Sequence, residues 1–407
     1  MRNYLDSSYI REVQIRNYKS IAPTTVKLTP LTVFVGPNGS GKSNFIDSLA
    51  FVQECVSESI EYAFTNRGGI GAVRRRSGGH PTNIGFRIIL NLKDRDYAEY
   101  SFEIAAKPRE NFYVAKERCY VKPFMQNEYE YELEKGEFIK EISGIRPKMP
   151  PGRLALYAAS ATDEFGPVYD FLSRMRFYSI VPNQIRELQS PDPGEFLKRD
   201  GSNAATILKR LYEEARTTDK YDRICRLLSR VASGIERVEY RQVGQKETLQ
   251  FKQDIGLRNL WTFEALNMSD GTLRVLGLLL AVYQSGKTSL VAIEEPESTV
   301  HPAVTELIMQ VLRDASLEKQ ILITTHSPDI LDYKELKDEQ IRVVIMEQGN
   351  TKIAPLADSS KEAIKEKLYT PGELLRIDEL QPDLEIAQNL SKRLNLFGQP
   401  KIESDYQ

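Results

Sequence analysis

The first 140 residues carry short apolar stretches separated by turn-forming residues, a pattern that predicts mainly β-strands. One helix is expected among these strands, beginning at Lys42. From residue 147 the chain becomes rich in Pro and Gly. The stretch 203–232 then predicts a helical insert, from its apolar residues Ile207, Leu208, Leu211, Tyr212, Ile224 and Leu227. The predicted strands cover residues 9–15, 31–35, 83–92, 99–105 and 113–121.

Helix and strand patterns alternate after residue 270, which favours a parallel sheet covered by helices. A final hairpin is expected, with Gly349 and Asn350 in its turn. The predicted helices cover residues 272–283, 302–314 and 328–331, the strands cover 289–293 and 320–324, and the hairpin covers 342–346 and 351–356.

These changes of pattern predict an α/β protein in four segments. The segments are an N-terminal lobe with a mixed sheet (1–146), a helical insert with linking strands (147–262), a C-terminal lobe with a parallel sheet (263–358) and a tail (359–407).

Composition excludes several classes of protein. The 55 Lys and Arg against 57 Asp and Glu give a net charge of −2, so the chain lacks the overall positive field that attracts any polyanion. Its three cysteines, Cys55, Cys119 and Cys225, are far apart and form no C-x-x-C pair, which argues against a disulfide framework and a zinc knuckle. There is no apolar run of about twenty residues and no apolar N-terminal signal, so we expect a cytoplasmic protein that does not contact the membrane.

Residues 36–43, Gly-Pro-Asn-Gly-Ser-Gly-Lys-Ser, match the phosphate-binding pattern G-x-x-x-x-G-K-[ST] and lie between an apolar strand and a helix. Glycines let backbone N–H groups converge on phosphate oxygens, and the helix N-terminus favours negative charge. Lys42 is expected to reach the β- and γ-phosphates of ATP, and the Ser43 hydroxyl to hold Mg²⁺. The alternative is an ordinary Gly-Ser loop before a helix. The predicted nucleotide contacts are Gly36, Asn38, Gly39, Ser40, Gly41, Lys42, Ser43 and Asn44.

The apolar strand at 289–293 ends in Glu294-Glu295-Pro296-Glu297, at the sheet edge where α/β proteins bind ligands. Because successive strand residues face opposite sides, the first two carboxylates are expected to differ in role. Glu294 is the predicted Mg²⁺ ligand, directly or through water, and Glu295 the base that activates the attacking water. Glu297 is expected to be a solvated loop residue. The alternative is an acidic helix N-terminus.

Two further features gain meaning only in combination. Ser269 is a predicted N-cap and Gly271 permits close backbone approach, which alone indicates a capped helix. His326 follows an apolar strand, where a lone histidine is more often structural.

The order of motifs along the chain resembles that of ABC-type ATPase heads of the SMC/RecF-like class. These motifs are the phosphate loop, the insertion, the Ser-x-Gly signature, the paired carboxylates and the histidine. The closest likeness is to AAA-family ATPases related to the overcoming-lysogenisation-defect (OLD) proteins. The segments that carry the resemblance are 15–21, 36–43, 268–272, 294–297, 301–302 and 324–328.

This resemblance implies a P-loop ATPase whose signature completes the ATP site of a second subunit. Ser269 and Gly271 would then act on the partner's nucleotide, and His326 would contact the γ-phosphate. The resemblance also implies that residues at the end of the first strand border the nucleotide, namely Arg16, Asn17 and Lys19.

The sequence departs from the class at two places. Glu294 stands where aspartate is usual, and its extra methylene favours indirect metal coordination. The signature lacks the second glycine and the glutamine and has Asp270 and Thr272, which weakens the expected γ-phosphate contact. A glutamine that links the metal to the helical insert is also expected; Gln184 is the candidate, and a plain loop residue is the alternative.

The remaining features concern partners. The basic run at 67–79, rich in Arg and Gly, suits contact with a phosphate backbone, or else forms a solvated loop. The insertion lacks long heptads, and the segment after His326 lacks the Glu plus Asp-x-Asp set of the nuclease domain fused to OLD proteins.

The sequence therefore predicts an ATPase that dimerises around ATP and Mg²⁺. Its nucleotide state would act on an effector or nuclease carried by another polypeptide, in prokaryotic anti-phage defence or DNA maintenance, with DNA as a further candidate partner. Two alternatives remain: an ATP-bound scaffold or sensor with negligible hydrolysis, and a DNA-binding nuclease subunit.

Overall fold

A computed structural model describes residues 8–75, 83–106, 112–144, 146–150, 152–256 and 259–400, so residues 76–79 of the basic run lie outside the described residues. The strands are β1 Tyr9–Arg16, β2 Thr24–Lys27, β3 Leu31–Val35, β4 Ile84–Asn91, β5 Tyr97–Ala106, β6 Phe112–Lys122, β7 Tyr129–Glu134, β8 Glu137–Lys140, β9 Arg176–Tyr178, β10 Ile235–Val243, β11 Lys246–Gln253, β12 Trp261–Glu264, β13 Leu290–Glu294, β14 Gln320–Thr325, β15 Ile341–Glu347 and β16 Asn350–Ala354. The helices are α1 Lys42–Ser57, α2 Ile60–Thr65, α3 Ile70–Val73, α4 Leu156–Ala159, α5 Gly166–Ser173, α6 Pro182–Arg186, α7 Ala204–Glu213, α8 Lys220–Ser229, α9 Asp270–Tyr283, α10 Pro302–Ala315, α11 Pro328–Leu331, α12 Asp358–Lys365, α13 Pro371–Arg376 and α14 Leu384–Lys392.

The central sheet has the strand order β16-β15-β3-β14-β13-β9. Every neighbouring pair is parallel except β15 and β16, which form the predicted hairpin. β3, from the N-terminal part of the chain, lies between β15 and β14, so the sheet combines strands that are about 300 residues apart in sequence. The parallel pairing predicted for the C-terminal lobe is therefore present.

Both faces of this sheet are buried, and alternate residues enter different apolar cores. On β3, Val33 and Val35 pack on one side and Phe34 on the other. The same alternation holds on β14, where Leu322 shares the core of Phe34. α1 contributes to the Phe34 side and α9 and α10 to the opposite side, which explains why the strands read as continuous apolar runs.

The second large sheet is antiparallel, with the order β2-β1-β4-β5-β6-β7-β8. β1, β4, β5 and β6 are the four strands that the sequence pattern predicts outside the central sheet. β2, β7 and β8 were not predicted, because they are short and carry polar residues.

The insert contains helices over 203–232, as predicted. These helices are α7 and α8, separated by a 3-10 turn and the segment Thr217-Thr218-Asp219. The Oγ1 of Thr217 donates to the carbonyl oxygen of Glu214 at 2.9 Å, a local side-chain bond to the backbone that favours a turn. A three-stranded antiparallel sheet, β10-β11-β12, completes the insert.

The turn of the final hairpin lies one residue earlier than predicted, at Gln348 and Gly349, because Glu347 pairs with Asn350. Both turn residues have positive φ, as a two-residue hairpin turn of this type requires. Among the described residues, no helix is both long and apolar enough to cross a membrane.

Candidate functional site

The phosphate loop runs from β3 into α1 and passes very close to the final hairpin. A Cβ atom on Gly36 would lie 2.0 Å from the carbonyl oxygen of Val344, and one on Gly41 would lie 1.9 Å from Oγ1 of Thr351. Gly41 also has a φ of +100° as the N-cap of α1, and Gly39 has a φ of +78° in open space. Close approach and left-handed backbone therefore account for the glycines of this loop.

The tip of the loop is open to solvent. Pro37, Asn38 and Gly39 are exposed, and so is Ser43 in the first turn of α1. Ser40 is buried, and its Oγ has no hydrogen-bond partner among the described residues. Because the first N–H groups of a helix have no partner within the helix, the start of α1 is suited to bind an anion.

Asn44 links the phosphate loop to neighbouring segments. Its Nδ2 donates to Oγ of Ser20 at 2.7 Å, and that oxygen lies 2.6 Å from Oγ1 of Thr351. The predicted nucleotide contact Asn44 is thus hydrogen-bonded inside the protein, and it helps to fix the start of α1 against the hairpin.

Lys42 lies inside the loop, with only 5% of its surface exposed. Its Nζ donates to the carbonyl oxygens of Gly36 at 2.7 Å and Pro37 at 3.0 Å. Burial lowers the pKa of Lys42, whereas the negative charges of Glu295 and Glu297 act in the opposite direction. The ammonium group is therefore held between the loop and the acidic end of β13.

The order β3-β14-β13 brings three predicted groups to one edge of the central sheet. The phosphate loop follows β3, His326 follows β14, and Glu294 ends β13. Nδ1 of His326 lies 3.4 Å from Oε1 of Glu295, and both side chains are partly exposed. The structure thus places the predicted base and the histidine beside each other.

Glu295 has an unusual backbone conformation, with a φ of +45°. Its N–H donates to the carbonyl oxygen of Thr324 at 3.0 Å, which holds the residue against β14. A positive φ costs a residue other than glycine about 1–2 kcal/mol, and such strain concentrates at functional sites. The neighbouring strand therefore fixes the orientation of Glu295.

Glu294 points to a different partner. Its Oε1 lies 2.7 Å from Nη2 of Arg199, a residue of the insert that the sequence analysis missed. The Glu294 side chain is 15% exposed and that of Arg199 is 51% exposed. The two adjacent carboxylates thus face different groups, as expected, but the reason is that β13 ends at Glu294 and the chain turns at Glu295, where φ is positive.

The expectation that Glu297 is solvated is wrong. The residue is 8% exposed, and its Oε1 accepts a hydrogen bond of 2.5 Å from Oγ1 of Thr325. Its Oε2 is buried without a partner among the described residues. Burial raises the pKa of this carboxyl group, because water no longer stabilises its charge. The loop after β13 folds back on β14, which no local pattern could show.

The signature segment lies at the start of α9, and Ser269 is its N-cap, as predicted. Oγ of Ser269 accepts from the N–H of Thr272 at 3.2 Å, and the residue is exposed. A Cβ on Gly271 would lie 3.0 Å from the carbonyl oxygen of Thr299, so glycine permits this close packing. Arg186 of α6 forms an ion pair with Asp270 and steadies the segment.

Gln184 lies in α6, half-buried, and α6 packs on α9. Its carbonyl oxygen accepts a hydrogen bond of 3.3 Å from Nε2 of Gln189. The contact of the insert with Glu294 is made by Arg199 instead. The metal-linking role of Gln184 stays a prediction.

The residues at the end of β1 are held by protein groups. Nη1 of Arg16 lies 2.6 Å from Glu103, and Nδ2 of Asn17 donates to the carbonyl oxygen of Asn83 at 3.1 Å. Lys19 forms an ion pair of 2.6 Å with Asp47 of α1. Their proposed contact with the nucleotide stays a prediction.

The oxygen donors at this edge suit Mg²⁺, which is usually held by one or two protein oxygens together with water and phosphate. The Ser43 hydroxyl is exposed and Glu294 is partly exposed, so both fit that role. Within the described ranges no group of three His, Cys, Asp or Glu residues could hold a metal. A site of this type needs no such group.

Sequence reasoning also missed a buried charged cluster around Asp47. Its Oδ2 accepts from the hydroxyl of Tyr18 at 2.6 Å, and Arg67 bonds both Asp47 and Glu54. Arg67 is therefore a structural residue and is unavailable to a phosphate backbone, contrary to one alternative for the basic run. The carboxylates that pair with Arg67 belong to α1, and the Gly-rich sequence around Arg67 gives no sign of this pairing.

The comparisons with known proteins agree with this geometry. A family described as "AAA domain, putative AbiEii toxin, Type IV TA system" matches residues 31–332, about three quarters of the chain. The match begins at β3 and ends just after α11, so it includes the phosphate loop, the signature, Glu295 and His326.

Curated relatives match over short stretches. The chromosome partition protein Smc of Mycolicibacterium paratuberculosis is 50% identical over 46 residues, which are 11% of this chain and 4% of that protein. The DNA replication and repair protein RecF of Streptococcus uberis is 32% identical over 78 residues, which are 17% of this chain and 21% of RecF. The chain thus spans a small part of the length of these relatives.

Solved structures match over most of the chain. The Smc head bound to the C-winged helix domain of ScpA has a TM-score of 0.53 at 12% identity and covers 87% of this chain and 99% of that one. The Smc head with an extended coiled coil, bound to the C-terminal domain of ScpA derived from Pyrococcus furiosus, has a TM-score of 0.54 at 11% identity, covering 89% and 99%. At such identities the likeness shows the fold. The chain therefore belongs to the AAA-domain family described as putative AbiEii toxin, and it has the fold of an SMC/RecF-like, ABC-type ATPase head.

Proposed function

We propose that this protein binds and hydrolyses ATP, and that two copies close around the nucleotide and transmit its state to an effector. One observation carries the proposal: the phosphate loop, Lys42 and the Glu295–His326 pair lie at the ends of adjacent parallel strands. Such an edge can hold a triphosphate and an attacking water together.

In binding, the N–H groups at the start of α1 would donate hydrogen bonds to the phosphate oxygens. Lys42 would turn from the carbonyl oxygens of Gly36 and Pro37 to the β- and γ-phosphates. Ser43 and Glu294 would hold Mg²⁺, which when bound neutralises the charge of the triphosphate. The burial of Lys42 strengthens its attraction to phosphate, because little water competes.

In hydrolysis, Glu295 would accept a proton from the attacking water while His326 contacts the γ-phosphate. The strand β14 fixes both residues, through the Glu295 N–H bond to Thr324 and through the position of His326 after the strand. Fixed groups at the reacting atoms lower the barrier, because orientation requires no rearrangement during the reaction.

Dimer formation would add the signature of the second copy. Ser269 is exposed, and it caps a 14-residue helix whose start offers further N–H groups. Ser269 and Gly271 of one copy would thus meet the γ-phosphate held by the other copy. Closure and reopening of this contact would convert hydrolysis into a change of geometry.

The biological setting forms part of the proposal. The family description names a putative toxin and a toxin–antitoxin system, and the two Smc heads above are bound to domains of ScpA. These names support an effector or nuclease that acts in trans, in anti-phage defence or DNA maintenance, with DNA as a further candidate partner.

The test compares phosphate release by the wild-type protein with that of Glu295→Gln. Loss of a general base is expected to reduce turnover at least about 100-fold. ATP binding in the presence of Mg²⁺ should persist in this variant and disappear in Lys42→Ala. Glu306→Gln, an exposed change on α10, is the control and should match the wild type.

Wild-type turnover no higher than that of Glu295→Gln would contradict hydrolysis and favour the ATP-bound scaffold. The pairing of Glu294 with Arg199 is the observation that favours this second candidate, since it occupies a carboxylate that the metal requires.

A further inference from the structure

The ion pair between Arg199 and Glu294 joins the insert to the predicted metal carboxylate. Its Nη2–Oε1 distance of 2.7 Å is that of a charge-assisted hydrogen bond. The two residues are 95 positions apart in sequence. The fold itself therefore brings this cation to the end of β13.

The backbone around Arg199 is tightly held. Its carbonyl oxygen accepts from the N–H of Ser179 at 2.9 Å, and that of Asp200 accepts from Val181 at 3.0 Å. Gly201 has a φ of +86°, and a Cβ there would lie 2.9 Å from the side chain of Ile185. The position of Arg199 is thus set by a turn that backbone hydrogen bonds and close packing hold in place.

This turn connects the sheet edge to a helix of the insert. Ser179 follows β9, whose Tyr178 pairs with Ile293 on β13, the residue before Glu294. On the other side, Asn203 is the N-cap of α7, and its Oδ1 accepts from the N–H of Lys198 at 2.8 Å. A change at Glu294 can therefore reach α7 through the ion pair with Arg199 and the short chain segment from Arg199 to Ala204.

Arg199 and a metal ion would compete for Glu294. Mg²⁺ binds carboxylate oxygen at about 2.0–2.1 Å and requires near-octahedral geometry. A guanidinium group on the same carboxylate would be a second cation within a few ångströms, and like charges at this distance repel strongly.

We propose that Arg199 is a positioning residue that holds Glu294 when the metal is absent and is released when Mg²⁺ arrives with the nucleotide. α7 and the insert thereby respond to occupation of the metal site. This inference rests on the proposed function, since it requires a nucleotide at the phosphate loop.

The experiment measures the affinity of full-length protein for mant-ADP as a function of free Mg²⁺, which needs no hydrolysis. Arg199→Ala should lower the Mg²⁺ concentration that gives the half-maximal change in mant-ADP affinity about two- to five-fold. This is the range expected for loss of an exposed ion pair. Arg199→Lys should restore the wild-type value in part, because lysine keeps the charge without the planar fork. Arg223→Ala is the control, since Arg223 pairs with Asp314 on α10 at 3.4 Å with similar exposure.

A second readout is hydrogen exchange of the α7 amides. Adding Mg²⁺ to the mant-ADP complex should change exchange in the wild type and in Arg223→Ala but leave α7 of Arg199→Ala unchanged. If Arg199→Ala needed as much free Mg²⁺ as Arg223→Ala, or more, for the half-maximal effect, the inference alone would be overturned. Failure of the wild type to bind mant-ADP would overturn both the inference and the proposed function.

Discussion

The contact between the phosphate loop and the final hairpin leads to a quantitative prediction for two glycines of the loop. Gly39 and Gly41 both have positive φ, but a Cβ on Gly39 would meet nothing within 4 Å, whereas one on Gly41 would overlap Thr351. Gly39→Ala therefore measures the cost of the backbone conformation alone. Gly41→Ala adds the overlap with the hairpin.

The magnitude follows from these contacts. Left-handed backbone costs alanine about 1–2 kcal/mol, which both variants share. Overpacking in Gly41→Ala should cost about 1–3 kcal/mol more. Displacing Thr351 would also break its 2.6 Å hydrogen bond with Ser20, at about 1 kcal/mol. Gly41→Ala should thus be about 2–4 kcal/mol less stable than Gly39→Ala.

The assay is urea unfolding of both variants, followed by circular dichroism at one pH. Thr351→Gly removes all three Thr351 atoms near the added methyl group, so it should rescue Gly41→Ala but not Gly39→Ala. A double-mutant cycle should give a coupling energy of at least about 1 kcal/mol. Equal stability of the two alanine variants would refute the reasoning.

Two buried carboxyl groups give predictions for pH. Burial raises the pKa of Glu297, so the stability contributed by its neutral form is complete below the unfolded pKa of about 4.3 and is lost as pH rises through the folded value. In urea unfolding, the free energy of unfolding of Glu297→Gln should therefore rise relative to that of the wild type as pH increases through the folded pKa. A difference between the two proteins that does not change with pH would contradict the assignment. Burial opposes ionisation of Asp47, but hydrogen bonds from Arg67 and Lys19 prevail and lower its pKa. Asp47→Asn should lower the free energy of unfolding by about 3 kcal/mol at neutral pH. This loss should shrink as pH falls below about 3.9 and through the folded pKa. An equal loss at neutral and at acidic pH would argue against the charged cluster.

Local patterns predicted much of this fold because they depend on neighbouring residues. The strands that precede Lys42 and Glu294 are almost entirely apolar, since both faces of the central sheet are buried. The phosphate loop was recognisable because its glycines are required by backbone geometry at fixed spacing. Ser269 was identified as an N-cap for the same local reason.

Other features depend on long-range contacts and had no local signal. Arg199 meets Glu294 only because β9 lies beside β13. Glu297 is buried because the loop after β13 folds onto Thr325, 28 positions away.

The central claim is that two copies share each ATP site, and mixing two inactive variants tests it most directly. Lys42→Ala removes the phosphate contact and leaves the signature intact, while Ser269→Arg blocks the signature and leaves the phosphate loop intact. An equal mixture should recover about a quarter of wild-type turnover, because half of the dimers would be mixed and each would contain one complete site of two. Turnover no greater than that of either variant alone would contradict a site completed by the second copy.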